Sequence, residues 1–155
     1  RKNGFPFHHI HAVGKGGWPA MESALQQRGL NDCPALDVRQ YIYNMATVMR
    51  GADLVICRAG ASTISELTAL GMPAIMVPSP YVTNNHQEKN ARLLEAHGGA
   101  EVLLEREANG AALYRAAADI LRSPDKQTRM KQGMLSLGIP DATERIYETV
   151  MALVK

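Results

Sequence analysis

Long apolar runs are missing from this sequence. No stretch approaches the roughly 20 consecutive apolar residues that a membrane-spanning helix needs. The opening residues, Arg1 to Phe7, are not followed by the apolar core of a secretory signal. A clustered basic face is missing as well. The net charge is +2 and Lys and Arg form no block, which argues against electrostatically driven binding of nucleic acid. Cysteine is scarce: only Cys33 and Cys57 occur, far apart, and Cys57 sits in an apolar run where it reads as a small core residue. A reducing, cytoplasmic setting is therefore expected. His8, His9 and His11 alternate along one short segment without a Cys, Asp or Glu at ligand spacing, so no metal site is expected. No nucleophile elbow occurs, which leaves hydrolysis by a covalent route without support. Internal repeats and low-complexity segments are also lacking.

What is present is ordinary for a soluble globular protein. The chain has 155 residues, 46% of them hydrophobic and 21% charged, enough for one domain with a real core. It opens on Arg1-Lys2-Asn3-Gly4 without an initiator Met, and the expectation is a piece of a longer protein. Strand and helix signals alternate. His8–Val13 reads as a strand, and Pro19 opens a helix that runs to Arg28 and stops at Gly29. Pro34–Val38 is a weak strand, Tyr41–Asn44 a turn, and Met45–Arg50 a short helix capped by Asn44. After a polar loop at Ser79–Asn85, a helix spans about His86–His97, with Ala91, Leu93, Leu94 and Ala96 as its apolar positions. Ala100–Leu104 is a strand, and helices follow over Asn109–Leu121, from Ser123-Pro124 to about Leu137, and over Asp141–Val154. The alternation predicts a parallel sheet with helices on both faces, and ligands in such sheets bind beyond the carboxyl ends of the strands.

The centre of the pattern is Ala52–Pro78. Asp53–Cys57 is a short apolar run that suits a strand buried on both faces. Arg58-Ala59-Gly60-Ala61 is small and permissive, so the backbone can turn sharply there. Ser62 or Thr63 is expected to cap the next helix, with Thr63-x-x-Glu66 fitting a capping box. Gly71 ends that helix, Pro73 prevents its continuation, and Ala74–Val77 forms the next buried strand. A helix N-terminus behind a small-residue loop is a ready anion site.

These residues resemble a known family. RAGASTISELTALGMPAIMVPSPYVTNNHQEKNA, together with His11-x-x-Gly14-Lys15-Gly16, Tyr41-Ile42-x-x-Met45 and Gly98-Gly99-Ala100, is similar to the donor-binding half of the MurG family of GT-B glycosyltransferases. The resemblance covers nearly the whole chain, from His9 to the last helix. It implies a Rossmann-like α/β domain, the C-terminal half of a GT-B enzyme. That domain would bind UDP-N-acetylglucosamine and pass its sugar, with inversion, to lipid-linked muramyl-pentapeptide in peptidoglycan synthesis. It also implies what lies elsewhere: the first strand and glycine-rich loop of the donor domain, and an acceptor domain with the catalytic base. No catalytic residue is therefore expected in this chain, no cofactor, and no metal. The whole enzyme would be a cytoplasmic protein peripheral on the inner face of the membrane.

The resemblance also assigns residues. Glu66 would accept hydrogen bonds from both ribose hydroxyls, against the plainer reading as a capping glutamate. Gly60, Ala61, Ser62 and Thr63 would present donors to the diphosphate. Gln87, with His86 second, would read the sugar hydroxyls; His86 stands where some relatives carry a second glutamine. Ile42 would offer its backbone N–H and C=O to the uracil edge, or serve only as an apolar loop anchor. Three assignments are weaker: Tyr41 packing on the base, His11 lining the nucleotide pocket, and Arg58, which either neutralises phosphate or pairs with Asp53 or Glu66. Asn85 and Asn90 are expected to cap and pack. Two other readings stay open, a donor domain of a glycolipid-forming glycosyltransferase and a non-catalytic nucleotide-binding module. The apolar stripe of the last helix, Ile146, Val150, Leu153 and Val154, is expected to be partly exposed and to allow self-association.

Overall fold

A computed structural model describes residues 6–154. The Arg1–Gly4 opening and the final Lys155 lie outside the described residues. The chain divides into two compact units, Arg1–Thr47 and Val48–Lys155, which are taken separately.

In the first unit, β1 (His9–Ala12) pairs in parallel with β2 (Leu36–Arg39), His9 opposite Leu36 and Ala12 opposite Arg39. Helix α1 (Trp18–Arg28) connects them; Pro19 occupies its first turn and Gly29 ends it in the left-handed region, φ 58°. That conformation suits glycine because no Cβ meets the preceding carbonyl. Asp37 and Arg39, two residues apart on β2, form an ion pair with two hydrogen bonds from Arg39 Nε and a third, at 2.6 Å, from Nη2. The strand expected over Pro34–Val38 begins two residues later, because Leu36 N–H turns back to the Cys33 carbonyl before the ladder starts.

A short helix, α2 (Met45–Arg50), leads into the second unit. There β3 (Val55–Cys57), β4 (Ala74–Met76) and β5 (Ala100–Val102) form a parallel sheet with β4 in the middle. The crossovers are α3 (Ala61–Leu70) and α4 (His86–Ala96), the latter preceded by a single 3-10 turn at Thr83–Asn85. Helices α5 (Gly110–Leu121), α6 (Pro124–Leu135) and α7 (Ala142–Leu153) follow. The one expected sheet is thus two separate parallel sheets among the described residues, since no hydrogen-bonded ladder joins β1–β2 to β3–β5.

Alternation along β4 divides the core of this unit. Ala74 and Met76 face a cluster with Leu67 of α3, Ala91 and Leu94 of α4, and Met134 of α6. Ile75 faces the other way, onto Ile120 of α5 and Met130 of α6. Leu67, Ile75, Met76, Leu94, Ile120 and Met134 are all fully buried, each contributing roughly 1.5–3 kcal/mol of transfer free energy. Two burial expectations need correction. Ile56 of β3 is 41% exposed, so that strand is not buried on both faces; among the described residues its one hydrogen-bonded partner is β4. Leu93 of α4 is 54% exposed, because one face of the helix is satisfied by Ala91 and Leu94.

Caps delimit the helices chemically. Asn109 accepts from the Ala112 N–H at 3.0 Å to open α5, and Ser123 accepts from the Lys126 N–H to open α6, where Pro124 follows. Asn109→Ala removes one capped N–H and is expected to lower stability by about 1 kcal/mol, read as a shift in the urea midpoint without a change in slope. The last helix buries nothing among the described residues: Ile146 is 65% exposed and Leu153 82%.

Candidate functional site

Three loops leave the carboxyl ends of the second unit's strands, and most of the expected site residues lie on two of them or on the helices they lead into. Residues Arg58–Gly60 leave β3. Gly60 is extended, φ −73° and ψ 146°, and acts as the N-cap of α3; the Ile64 N–H closes the first turn onto the Gly60 carbonyl at 3.0 Å. Ala61, Ser62 and Thr63 are therefore the first three helical residues, and their N–H groups lack the partners that only an earlier turn supplies. No side chain caps them. This corrects the expected capping box. Ser62 and Thr63 stand inside the helix rather than before it, so neither hydroxyl is placed to cap. Glycine is an accepted N-cap and needs no side chain to turn there. Beyond Gly60 an added Cβ would meet nothing within 4 Å, so the approach to the helix start is open.

Glu66 lies one further turn along α3, exposed to solvent. Its carboxylate has no hydrogen-bond or ion-pair partner among the described residues. With the capping reading removed, the side chain has no local structural task.

The loop after β4 is held by α4. Gln87 Oε1 accepts from the Ser79 N–H at 2.9 Å, and its amide nitrogen has no hydrogen-bond partner among the described residues. His86 directs Nδ1 at the Thr83 carbonyl, 3.0 Å away, and is otherwise exposed. Asn84 and Asn85 both adopt left-handed backbone, φ 55° and 51°, just before α4 starts. Asn is one of the few residues that accepts this region. Asn85 does not cap by its side chain; Nδ2 donates instead to Glu88 Oε2 at 2.7 Å. Asn90 reaches the Ala59 carbonyl at 3.4 Å and so steadies the loop after β3.

Arg58 pairs with neither Asp53 nor Glu66. Its guanidinium binds the Val77 carbonyl and Glu105, a partner that lies after β5 and was not expected. Cys57, next to it, is inert: burial pushes its thiol up to about 11.

The remaining expected residues belong to the first unit. Ile42 is buried at 7% exposure, as an apolar anchor would be, so only its backbone groups are candidates for contact. Tyr41 is 60% exposed and packs edge-to-face on Tyr43, ring centroids 4.9 Å apart. His11 is exposed on β1 beside His9, whose own titration is depressed by burial and then by His11. Among the described residues no group of three His, Cys, Asp or Glu side chains is arranged to hold a metal ion.

Residues 1–146 match the glycosyltransferase family 28 C-terminal domain. The chain belongs to this family. It is 43% identical over 99% of its length to an N-acetylglucosamine transferase of Acetivibrio thermocellus. That relative's full name is UDP-N-acetylglucosamine--N-acetylmuramyl-(pentapeptide) pyrophosphoryl-undecaprenol N-acetylglucosamine transferase. A Bacillus cereus transferase of the same name is 42% identical over 94% of the chain. The chain spans 41% and 40% of the lengths of these two relatives. Among solved structures, Acinetobacter baumannii MurG superposes with a TM-score of 0.77 at 27% identity, over 92% of this chain and 40% of that one. The calicheamicin glycosyltransferase CalG4 shares the fold, with a TM-score of 0.67 at 21% identity over 96% of this chain and 37% of that one. The family 28 assignment and the match to MurG agree with the resemblance read from the sequence, and the α/β fold with parallel sheets is the fold expected.

Proposed function

We propose that this chain is the donor-binding part of an inverting N-acetylglucosaminyltransferase. The enzyme would move N-acetylglucosamine from UDP-N-acetylglucosamine to lipid-linked muramyl-pentapeptide during peptidoglycan synthesis. The observation that carries the reading is the 43% identity over 99% of the chain to a transferase of that name. The geometry supports it chemically. The start of α3 offers uncapped N–H groups at the positive end of a helix dipole, and Glu66 is an unpartnered carboxylate one turn further on.

In this reading the amides and hydroxyls of Gly60–Thr63 hold the diphosphate. The same donors stabilise UDP as a leaving group, because negative charge grows on the diphosphate as the glycosidic bond breaks. Glu66 takes the ribose hydroxyls. The free amide nitrogen of Gln87, with His86 second, donates to sugar hydroxyls. Ile42 of the first unit offers backbone groups to the uracil edge; Tyr41 and His11 of that unit, and Arg58 of the second, hold weaker claims to contact. No catalytic base is assigned to this chain. The base and the acceptor contacts are proposed for the part of the relatives' length that the chain does not span. A lipid-linked acceptor would bring the whole enzyme to a membrane surface, and the cytoplasmic face is the one proposed; no helix among the described residues is long and apolar enough to cross a membrane.

Calorimetric titration of the full-length gene product with UDP-N-acetylglucosamine, UDP-glucose and UDP tests the reading. The expected result is binding of UDP-N-acetylglucosamine at least tenfold tighter than UDP-glucose. Equal affinity for the two sugars would move the assignment to a transferase with another donor. Indifference to all three in a folded protein would leave no donor site at all.

A further inference from the structure

Arg58 leaves β3 where the chain turns toward α3, and its guanidinium is committed. Nη1 donates to the Val77 carbonyl at 3.1 Å and to the Glu105 carboxylate. These three residues stand just beyond three adjacent strands, which end at Cys57, Met76 and Val102. The backbone ladder runs out at this level. The Val77 N–H donates to the Cys57 carbonyl at 2.8 Å and the Leu103 N–H to the Met76 carbonyl at 2.9 Å. The Val77 carbonyl is the next acceptor along β4, and a side chain takes it where a strand no longer does. Arg58 thus adds one rung to the sheet, with Glu105 as its far end.

The turn that follows is tied from another direction as well. The Ala59 carbonyl accepts from Asn90 of α4 at 3.4 Å, and Ala59 itself is fully buried. Only Gly60 separates this fixed point from the first open amide of α3. The direction in which those amides point is therefore set by how Arg58 and Ala59 are held. The Arg58 hydrogen bond keeps the Glu105 carboxyl below its usual range, so the rung is charged at neutral pH. Arg58 and Glu105 are 52% and 39% exposed at their side chains, and an ion pair so exposed adds little to global stability. Its effect is local.

We propose that Glu105 is a positioning residue for the donor diphosphate: by holding Arg58 across the ends of β4 and β5 it fixes the turn that aims the Gly60–Thr63 amides. The proposal rests on the reading of that helix start as the diphosphate site. Glu105 touches neither donor nor acceptor in this role, and it acts through Arg58.

The test uses the full-length gene product with Glu105→Ala, Glu105→Gln and Arg58→Lys. Three quantities are measured: affinity for UDP-N-acetylglucosamine, the KM for donor against that for acceptor, and the thermal midpoint. Both Glu105 variants are expected to bind donor about tenfold more weakly and to raise the donor KM. The acceptor KM should stay within twofold and the midpoint within a few degrees. Amide exchange at Ala59–Thr63 is expected to quicken in the same variants. Arg58→Lys keeps the charge but loses the planar fork and should fall between them and the wild type. Donor affinity within twofold of wild type in both folded Glu105 variants would overturn the positioning role while leaving the donor site standing. Failure of both Glu105 variants to fold would also overturn it, in favour of a purely structural pair. A wild-type protein that does not bind the donor would overturn the site and this proposal together.

Discussion

Gly133→Ala is expected to be the most damaging small substitution in the chain. Gly133 lies inside α6, where alanine would ordinarily add about 1 kcal/mol of helix propensity. Here its Cβ would be driven into the backbone of the turn that ends α4. It would touch the His97 carbonyl oxygen and come within 2.7 Å of Gly98 C and Gly99 N. Backbone cannot rotate aside as a long side chain can, so α6 must shift or the turn must open. At Gly99 too an added Cβ would meet Met134, which is fully buried, so there is no slack for α6 to shift without disturbing the core. The net loss is expected to be about 3 kcal/mol or more, near the upper end for overpacking. That corresponds to roughly a 10 °C fall in thermal midpoint for a protein of this size. Gly110→Ala is the control, because a Cβ there meets nothing within 4 Å. An unchanged midpoint for Gly133→Ala would mean that α6 does not run this close to the α4 turn.

Glu66→Ala is expected to have the largest effect on ligand binding. Hydrogen bonds to a charged group contribute about 1.5–3 kcal/mol each. Losing the pair made to two ribose hydroxyls, partly replaced by water, is expected to cost about 2 kcal/mol, or roughly 30-fold in affinity for UDP-N-acetylglucosamine. Stability should move by less than about 0.5 kcal/mol, since Glu66 is exposed and has no partner among the described residues. The sign is diagnostic. A carboxylate near a diphosphate repels it, so if Glu66 did not touch the ribose its removal would leave affinity unchanged or improve it. Titration of the variant therefore separates a ribose ligand from a bystander by direction as well as by size.

Local chemistry explains which parts of this fold the sequence announced. Gly29 and Gly71 were readable as helix stops because glycine suits the left-handed residue there best, and each adopts it. The helix starts at Asn109 and at Ser123-Pro124 were readable as boundaries, and the structure adds that both side chains cap, each accepting from an N–H three residues on. Thr63-x-x-Glu66 had the same spacing and misled. Gly60, three residues earlier, already satisfied the turn, and nothing in the spacing says which of two permitted starts the chain will use. Ile56 misled for another reason. Its run looks largely apolar, but burial depends on what packs over each face of the strand, which an apolar run does not record. The pairing of Arg58 with Glu105 spans 47 residues, and that of Gln87 with Ser79 depends on how α4 folds back over its own loop. Neither leaves a periodic trace. The residues of the candidate site were thus legible as types, but their partners were not.

The register of the central strand has a consequence for how such sites diversify. Cys57, Met76 and Val102 are paired across β3, β4 and β5, so the loops beyond them start on one level. They are separated by the inter-strand spacing of about 4.8 Å. Backbone hydrogen bonds set that pitch, and β4, buried on both faces, offers loop mutations no way to change it. The sheet works as a ruler whose divisions stay fixed while the marks on them are rewritten. If these loops read the sugar, as proposed, their side chains can be exchanged and still be presented at the same intervals. CalG4 shares this fold at 21% identity.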